Sequence, residues 1–210
     1  MIQHSEACER NKRAILGILR QAFAGTSAVL EIGGGTGQHA VFFATHLQHL
    51  RWQSTDRADS FGALRARVQQ EGPQNCESPV ELDVDHRPWP AALVDRPFDA
   101  VFTANTLHIM SWPSVENLFD GIGPVLADGG ILCVYGPFSY GGRFTAPSNE
   151  RFDRALRARD VLSGIRDFES VDALAARQGL VLIADHAMPA NNQLLCWRCA
   201  AQDTENSCRN

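Results

Sequence analysis

Residues 29–37 read Val-Leu-Glu-Ile-Gly-Gly-Gly-Thr-Gly. An apolar run ends with the acid Glu31, and glycines then recur at Gly33, Gly35 and Gly37. A strand that runs through a glycine turn into a helix brings backbone N–H groups against a nucleotide-like ligand, where a Cβ would block the approach. The register here is G-x-G-x-G, not the G-x-G-x-x-G of a dinucleotide pyrophosphate loop. Asp56 follows the loop at roughly the 20-residue separation at which an acid accepts both hydroxyls of a ribose. Asp83 can accept from an adenine amino group while the Val84 N–H faces a ring nitrogen. Asn105 and His108 mark a further strand end. His108, with an ordinary pKa near ~6.5, is the imidazole best placed to take a proton from an attacking oxygen, nitrogen or thiol. Its competing role is structural, as a helix cap or a hydrogen-bonded ring beneath a ligand.

These residues meet only if strands carry them to one edge of a sheet. Apolar periodicity predicts a helix over 5–23, with Ser5 as N-cap. It predicts strands at Ala28–Ile32, Arg51–Thr55, Val80–Val84, Phe98–Thr103 and Ile131–Tyr135. Helices are expected at Gln38–His46, Ser60–Gln70 and Ser114–Leu126, with a turn at Asp128-Gly129-Gly130. Alternating strands and helices imply a parallel sheet covered on both faces, with ligands beyond the C-terminal strand ends. The glycine loop, Asp56, Asp83-Val84, Asn105 to His108 and Tyr135 to Phe138 would then converge. The end of the chain breaks the alternation. After a helix at Ser170–Gln178, strands Leu180–Ala184 and Leu194–Ala200 are joined by a link too short for a crossover helix, so they are expected to be antiparallel neighbours. The segment Gly136–Asp167, glycine-punctuated and then basic and helical, is expected to be a lid or binding loop.

A chain of 210 residues suits one α/β domain, placed at 1–200 with a polar tail at 201–210. A net charge of −5 argues against a nucleic-acid partner. No apolar run approaches the ~20 residues that span a bilayer, and the charged N-terminus lacks a secretory h-region, so no membrane partner is expected. Six scattered cysteines fit a reduced, cytoplasmic chain. Cys196-x-x-Cys199 falls in a strand, without a second ligand pair, and is read as structural; no metal is expected. His39, His46 and His49 lack a convergent carboxylate and are read as surface residues.

The loop Leu30-Glu31-Ile32-x-x-Gly35-Thr36-Gly37-Gln38-His39 resembles the S-adenosylmethionine (SAM) loop of class I methyltransferases. A parallel sheet finished by an antiparallel hairpin strand is also the layout of those enzymes. Ser5-x-x-x-Glu9-Arg10-Asn11-Lys12, Tyr135-Gly136-Pro137-Phe138, Pro147-Ser148-Asn149 with Arg151-Phe152-Asp153, and Met188-Pro189-Ala190-Asn191-Asn192 narrow it further. With Leu156–Asp160 and Gly164–Asp167, they resemble the domain of unknown function 938 family over about residues 5 to 198. The resemblance implies a Rossmann-like α/β fold with a mostly parallel seven-stranded sheet, SAM as cofactor, and methyl transfer to a small-molecule acceptor. It implies cofactor contacts from Glu31, Gly33, Gly35, Gly37, Asp56, Asp83, Val84 and Asn105, and His108 as catalytic base. The blocks outside the loop supply the acceptor candidates Arg10, Asn11, Tyr135, Phe138, Asn149 and Arg157, with Arg157 either gripping an anion or pinning the lid by a salt bridge. Where the family has Ala-Ser after Glu-Ile, this chain has Gly33-Gly34. Asn105-Thr106-Leu107-His108 lacks the prolines and aromatic of nucleobase amino methylases. A nicotinamide-dependent oxidoreductase, and a cofactor-binding adaptor or protein methylase, stand as alternatives.

Overall fold

The computed structural model describes residues 4–200; the tail expected at 201–210 lies outside them. Helix α1 (Glu6–Ala22) begins at the Ser5 cap, whose hydroxyl accepts from the Cys8 N–H. Strand β1 (Ala28–Ile32), helix α2 (Gln38–His46), strand β2 (Arg51–Asp56), helix α3 (Ala58–Glu71), the short strand β3 (Val80–Glu81) and the short helix α4 (Ala91–Val94) follow. Then come β4 (Phe98–Ala104), α5 (Trp112–Val125), β5 (Leu126–Gly136), β6 (Phe138–Tyr140), β7 (Arg143–Phe144), α6 (Pro147–Arg159), β8 (Arg166–Asp167) and α7 (Phe168–Arg177). A hairpin of β9 (Leu180–Met188) and β10 (Asn192–Cys199) ends the fold.

The main sheet has seven strands in the order β3-β2-β1-β4-β5-β10-β9. Pairing is parallel from β3 to β5, and β10 runs antiparallel to both neighbours. The expected sheet and hairpin are present. Residues alternate between its two faces: Leu30 and Ile32 of β1 join a core with Leu118, Phe119 and Ile122 of α5, while Val29 joins Leu16 of α1 and Phe43 of α2. Strands buried on both faces read as near-continuous apolar runs, which is why β1 and β4 were legible.

Two local expectations needed correction. Leu82–Val84 is not strand: β3 stops at Glu81, and Asp83 folds the chain back by accepting from the Asp85 N–H at 3.0 Å. The Asp128-Gly129-Gly130 turn is an irregularity inside β5, where the register against β4 jumps from Phe98↔Leu126 to Ala100↔Ile131. Gly129 takes φ +72° there, a conformation open to glycine. The Gly136–Asp167 segment, expected to turn helical after its glycines, does so in α6 and forms the small sheet β7-β6-β8 as well. No helix among the described residues is long and apolar enough to cross a membrane.

Candidate functional site

The five residues after β1 make the floor of the site. Gly33, Gly35 and Gly37 take φ of +75°, +56° and +75°, values costly for any residue with a Cβ. The turn is held from β2: the Gly33 and Gly34 N–H groups both donate to the Thr55 carbonyl, at 3.1 and 2.9 Å. The Gly35 N–H donates to Asp56 Oδ2 at 2.6 Å, and the Arg57 N–H to Asp56 Oδ1 at 2.7 Å. Burial nonetheless pushes the Asp56 carboxyl above its ordinary range, against the lowering by those two donors. Apart from the glycine itself and its two chain neighbours, no atom of the described residues lies within 4 Å of where a Gly35 Cβ would stand. A Cβ on Gly33 would come within 2.7 Å of the Thr106 hydroxyl. The glycines therefore do two jobs: Gly33 permits close packing, and Gly35 leaves space open.

That space is a cleft of about 590 Å³ at the C-terminal strand ends, within the size range of small-molecule sites. Gly33, Gly35, Asp56, Asp83, Val84 and Asn105 all line it. Asn105 takes φ +60° and hands its N–H to the Tyr135 carbonyl at 2.8 Å, which turns Thr106 into the cleft wall. The adjoining Ile109 and Met110 also line it, and so do Asp160 and Leu162 beyond α6. The buried Arg166 guanidinium joins these two stretches by donating to the Leu107, Leu162 and Met110 carbonyls.

Sequence reasoning missed the other wall. Ser5, Ala7 and Cys8 of the α1 start line the cleft, as does His39 in the first turn of α2. Gln38 joins the two helices: its Nε2 donates to Glu9 Oε1 at 2.8 Å, and its Oε1 accepts from the Ser5 N–H. His39 is not a surface residue. It is 5% exposed, stacks on Phe43, and its Nε2 lies 2.8 Å from Asn11 Oδ1. Burial holds its pKa down to about 4. The available signal was two consecutive polar residues opening a helix whose neighbours are apolar.

Other expected contacts stand off the cleft. Gly37 packs on α3, where a Cβ would meet Arg67 at 3.2 Å. Arg10 is exposed on α1. Asn11 and Tyr135 are both buried, Asn11 with its Oδ1 2.8 Å from His39 Nε2. Phe138 is a core residue, and Asn149 donates to Thr145 Oγ1 and the Asn191 carbonyl, both at 2.9 Å, fastening α6 to the hairpin. His108 is buried against Phe152 beyond the cleft-lining Thr106, and burial, with Arg166 nearby, lowers its pKa to about 4.

Arg157 also lies off the cleft, and its Nε donates to Asp153 Oδ2 at 2.8 Å. Asp153 is the buried partner, and its Oδ1 also accepts from the Ile165 N–H at 2.8 Å. The two ends of this pair should therefore respond unequally. Asp153→Ala strands a buried N–H and should cost about 1–3 kcal/mol, while Arg157→Ala, removing a half-exposed partner, should cost under ~1 kcal/mol. Urea denaturation of both variants measures this; equal losses would refute the asymmetry.

Glu31 lies beneath the loop, fully buried, accepting from Trp52 Nε1 at 2.8 Å. Burial raises its carboxyl from 4.5 to about 7, beyond the opposing Trp52 bond. The folded state thus holds a proton that the unfolded chain has released between those values. The associated stability is complete in acid below the unfolded pKa and disappears as pH rises through about 7. Glu31→Gln stays neutral throughout, so its Tm should fall less than that of wild type between about pH 4.5 and 7. Scanning calorimetry across that range checks it, and parallel Tm curves would show that Glu31 does not titrate there.

A glycine turn, an acid ending the next strand and an antiparallel penultimate position in a seven-stranded sheet together define the class I methyltransferase fold. The chain belongs to the family described as "Protein of unknown function (DUF938)", whose family model matches residues 2–199. Among solved structures it is similar to an O-methyltransferase family protein from Burkholderia thailandensis, with a TM-score of 0.80 at 14% identity, covering 94% of this chain and 59% of that one. It is also similar to an O-methyltransferase family 2 protein from Planctomyces limnophilus in complex with apigenin, with a TM-score of 0.77 at 18% identity and coverage of 92% and 58%. Human N-acetylserotonin methyltransferase in complex with SAM gives 0.75 at 16%, covering 93% and 53%. This chain thus spans little more than half the length of these proteins.

Proposed function

We propose that the protein transfers a methyl group from SAM to a small-molecule acceptor. The observation that carries this reading is the cleft, where an open glycine turn, a partly buried carboxylate and a second acid face one space. This set of acceptors suits a nucleoside. Asp56 accepts from ribose hydroxyls, Asp83 accepts from the adenine amino group, and Val84 borders the base. Bound there, SAM would supply an electrophilic sulfonium methyl. The chain's own part is to orient the acceptor, exclude water and take up a proton where the acceptor carries one. Ile109, Met110 and Leu162 supply apolar cover for that purpose.

His108 is the proposed proton acceptor. Its pKa of about 4 keeps the ring neutral at physiological pH, able to accept a proton although a weaker base than an ordinary imidazole.

Calorimetry with SAM, S-adenosylhomocysteine and NAD tests the cofactor. Incubation with methyl-labelled SAM and a metabolite extract freed of macromolecules tests the acceptor. The expected result is SAM binding without NAD binding and label in the low-mass fraction. Binding of NAD alone overturns the cofactor reading, and label retained only on macromolecules overturns the acceptor class.

A further inference from the structure

His39 has no role in the reading above, yet it is a nearly enclosed polar side chain on the cleft wall. Its environment fixes its chemistry. Its Nε2 lies 2.8 Å from the Asn11 side-chain oxygen, Oδ1. An amide oxygen only accepts, so Nε2 carries the proton and Nδ1 keeps a lone pair. Nδ1 has no hydrogen-bond partner among the described residues. The ring stacks on Phe43 with centroids 5.1 Å apart and meets the Phe102 edge at 6.2 Å. Nδ1 is not among the buried polar atoms shut off without a partner, so it reaches solvent, and on the cleft wall a ligand's donor can take the place of water there.

The strand order says which donor. Asp56 ends β2 and Asp83 follows β3, both on one side of β1. His39 lies over Phe102 of β4, on the other side. A SAM molecule whose ribose and adenine face Asp56 and Asp83 leaves its amino-acid tail for the His39 side. With the ribose and adenine donors matched to Asp56 and Asp83, the remaining donor is the α-ammonium. We propose that His39 anchors the cofactor's amino-acid tail, its Nδ1 accepting a hydrogen bond from the α-ammonium, with Asn11 as the positioning residue that holds the ring in the accepting tautomer. This rests on the SAM reading, and it gives Asn11 an indirect part in cofactor binding in place of the acceptor contact expected of it.

The test uses S-adenosylhomocysteine and its analogue lacking the α-amino group, titrated calorimetrically into wild type and His39→Phe. Phenylalanine keeps the stacking and removes the lone pair. Wild type should bind S-adenosylhomocysteine about tenfold more tightly than the deaminated analogue. His39→Phe should lose that factor on S-adenosylhomocysteine and nothing on the analogue. Unchanged affinity for S-adenosylhomocysteine, or equal losses on both ligands, overturns the proposal. Should the variant not fold, histidine ¹⁵N spectra of wild type decide: the His39 Nδ1 resonance should move with S-adenosylhomocysteine and stay in place with the analogue, and equal responses overturn it. If wild type binds neither compound, the SAM reading itself fails, a result distinct from the loss of discrimination.

Discussion

Gly35→Val should abolish measurable SAM binding in a protein that still folds. Two costs combine at this position. The backbone sits at φ +56°, which a β-branched residue resists, and the missing side chain leaves cleft space that valine would fill. Strain alone would act through stability, so a second glycine separates the two. Gly141 has nearly the same backbone, φ +55°, and equally open surroundings, but it sits in the β6–β7 hairpin away from the cleft. Gly35→Val and Gly141→Val should therefore lose similar stability, while only the former loses affinity, by at least about a hundredfold. Calorimetric titration with SAM beside thermal melts of both variants gives the comparison. Near-native affinity in a folded Gly35→Val protein would remove the glycine loop from the site.

The glycine-loop half of this site was legible because it rests on backbone. A glycine at a left-handed position, an acid at a strand end and an apolar run are each one-residue signals, and strand order does the rest. Gly33, Gly35, Asp56, Asp83, Val84 and Asn105 reached the same cleft on that basis. The α1 side was not legible, since it depends on how a helix before the sheet folds back across it. Gln38 and His39 face α1 through side-chain hydrogen bonds to Ser5, Glu9 and Asn11, partners 28 to 33 residues away, and no periodicity encodes such pairings. Arg157, open in the sequence between a ligand and a salt bridge, meets the salt bridge. A basic residue in a family-specific block invites a ligand, but a helix offers an acid four residues earlier, and the i,i+4 partner Asp153 is what it meets. Glu31 likewise sits in the loop motif, yet the strand's alternation turns it inward to Trp52.

Asp56→Ala should weaken SAM and S-adenosylhomocysteine binding alike, by about ten- to a hundredfold, because two ribose hydroxyls lose an acceptor worth roughly 1–3 kcal/mol. The two ligands are the same at the ribose, so equal losses are the mark of a contact there. A variant that discriminated between them would move Asp56 next to the sulfur. The carboxylate has a structural task as well, since it accepts the Gly35 and Arg57 N–H groups. Asp56→Asn separates the tasks: its one carbonyl oxygen can still take a loop N–H, while its amide meets the remaining donors with a donor of its own. Asparagine should therefore recover most of the stability lost in the alanine variant and little of the affinity. The raised carboxyl pKa adds a pH signature in the same direction. Protonation converts an acceptor-only group into one that competes for the hydroxyls, so wild-type affinity should decline on acidification before an ordinary aspartate would titrate, and Asp56→Asn should lack that component. Calorimetric titrations of the three proteins at several pH values carry all of these comparisons, and an Asp56→Asn protein with wild-type affinity would show that the carboxylate serves the loop and not the ligand.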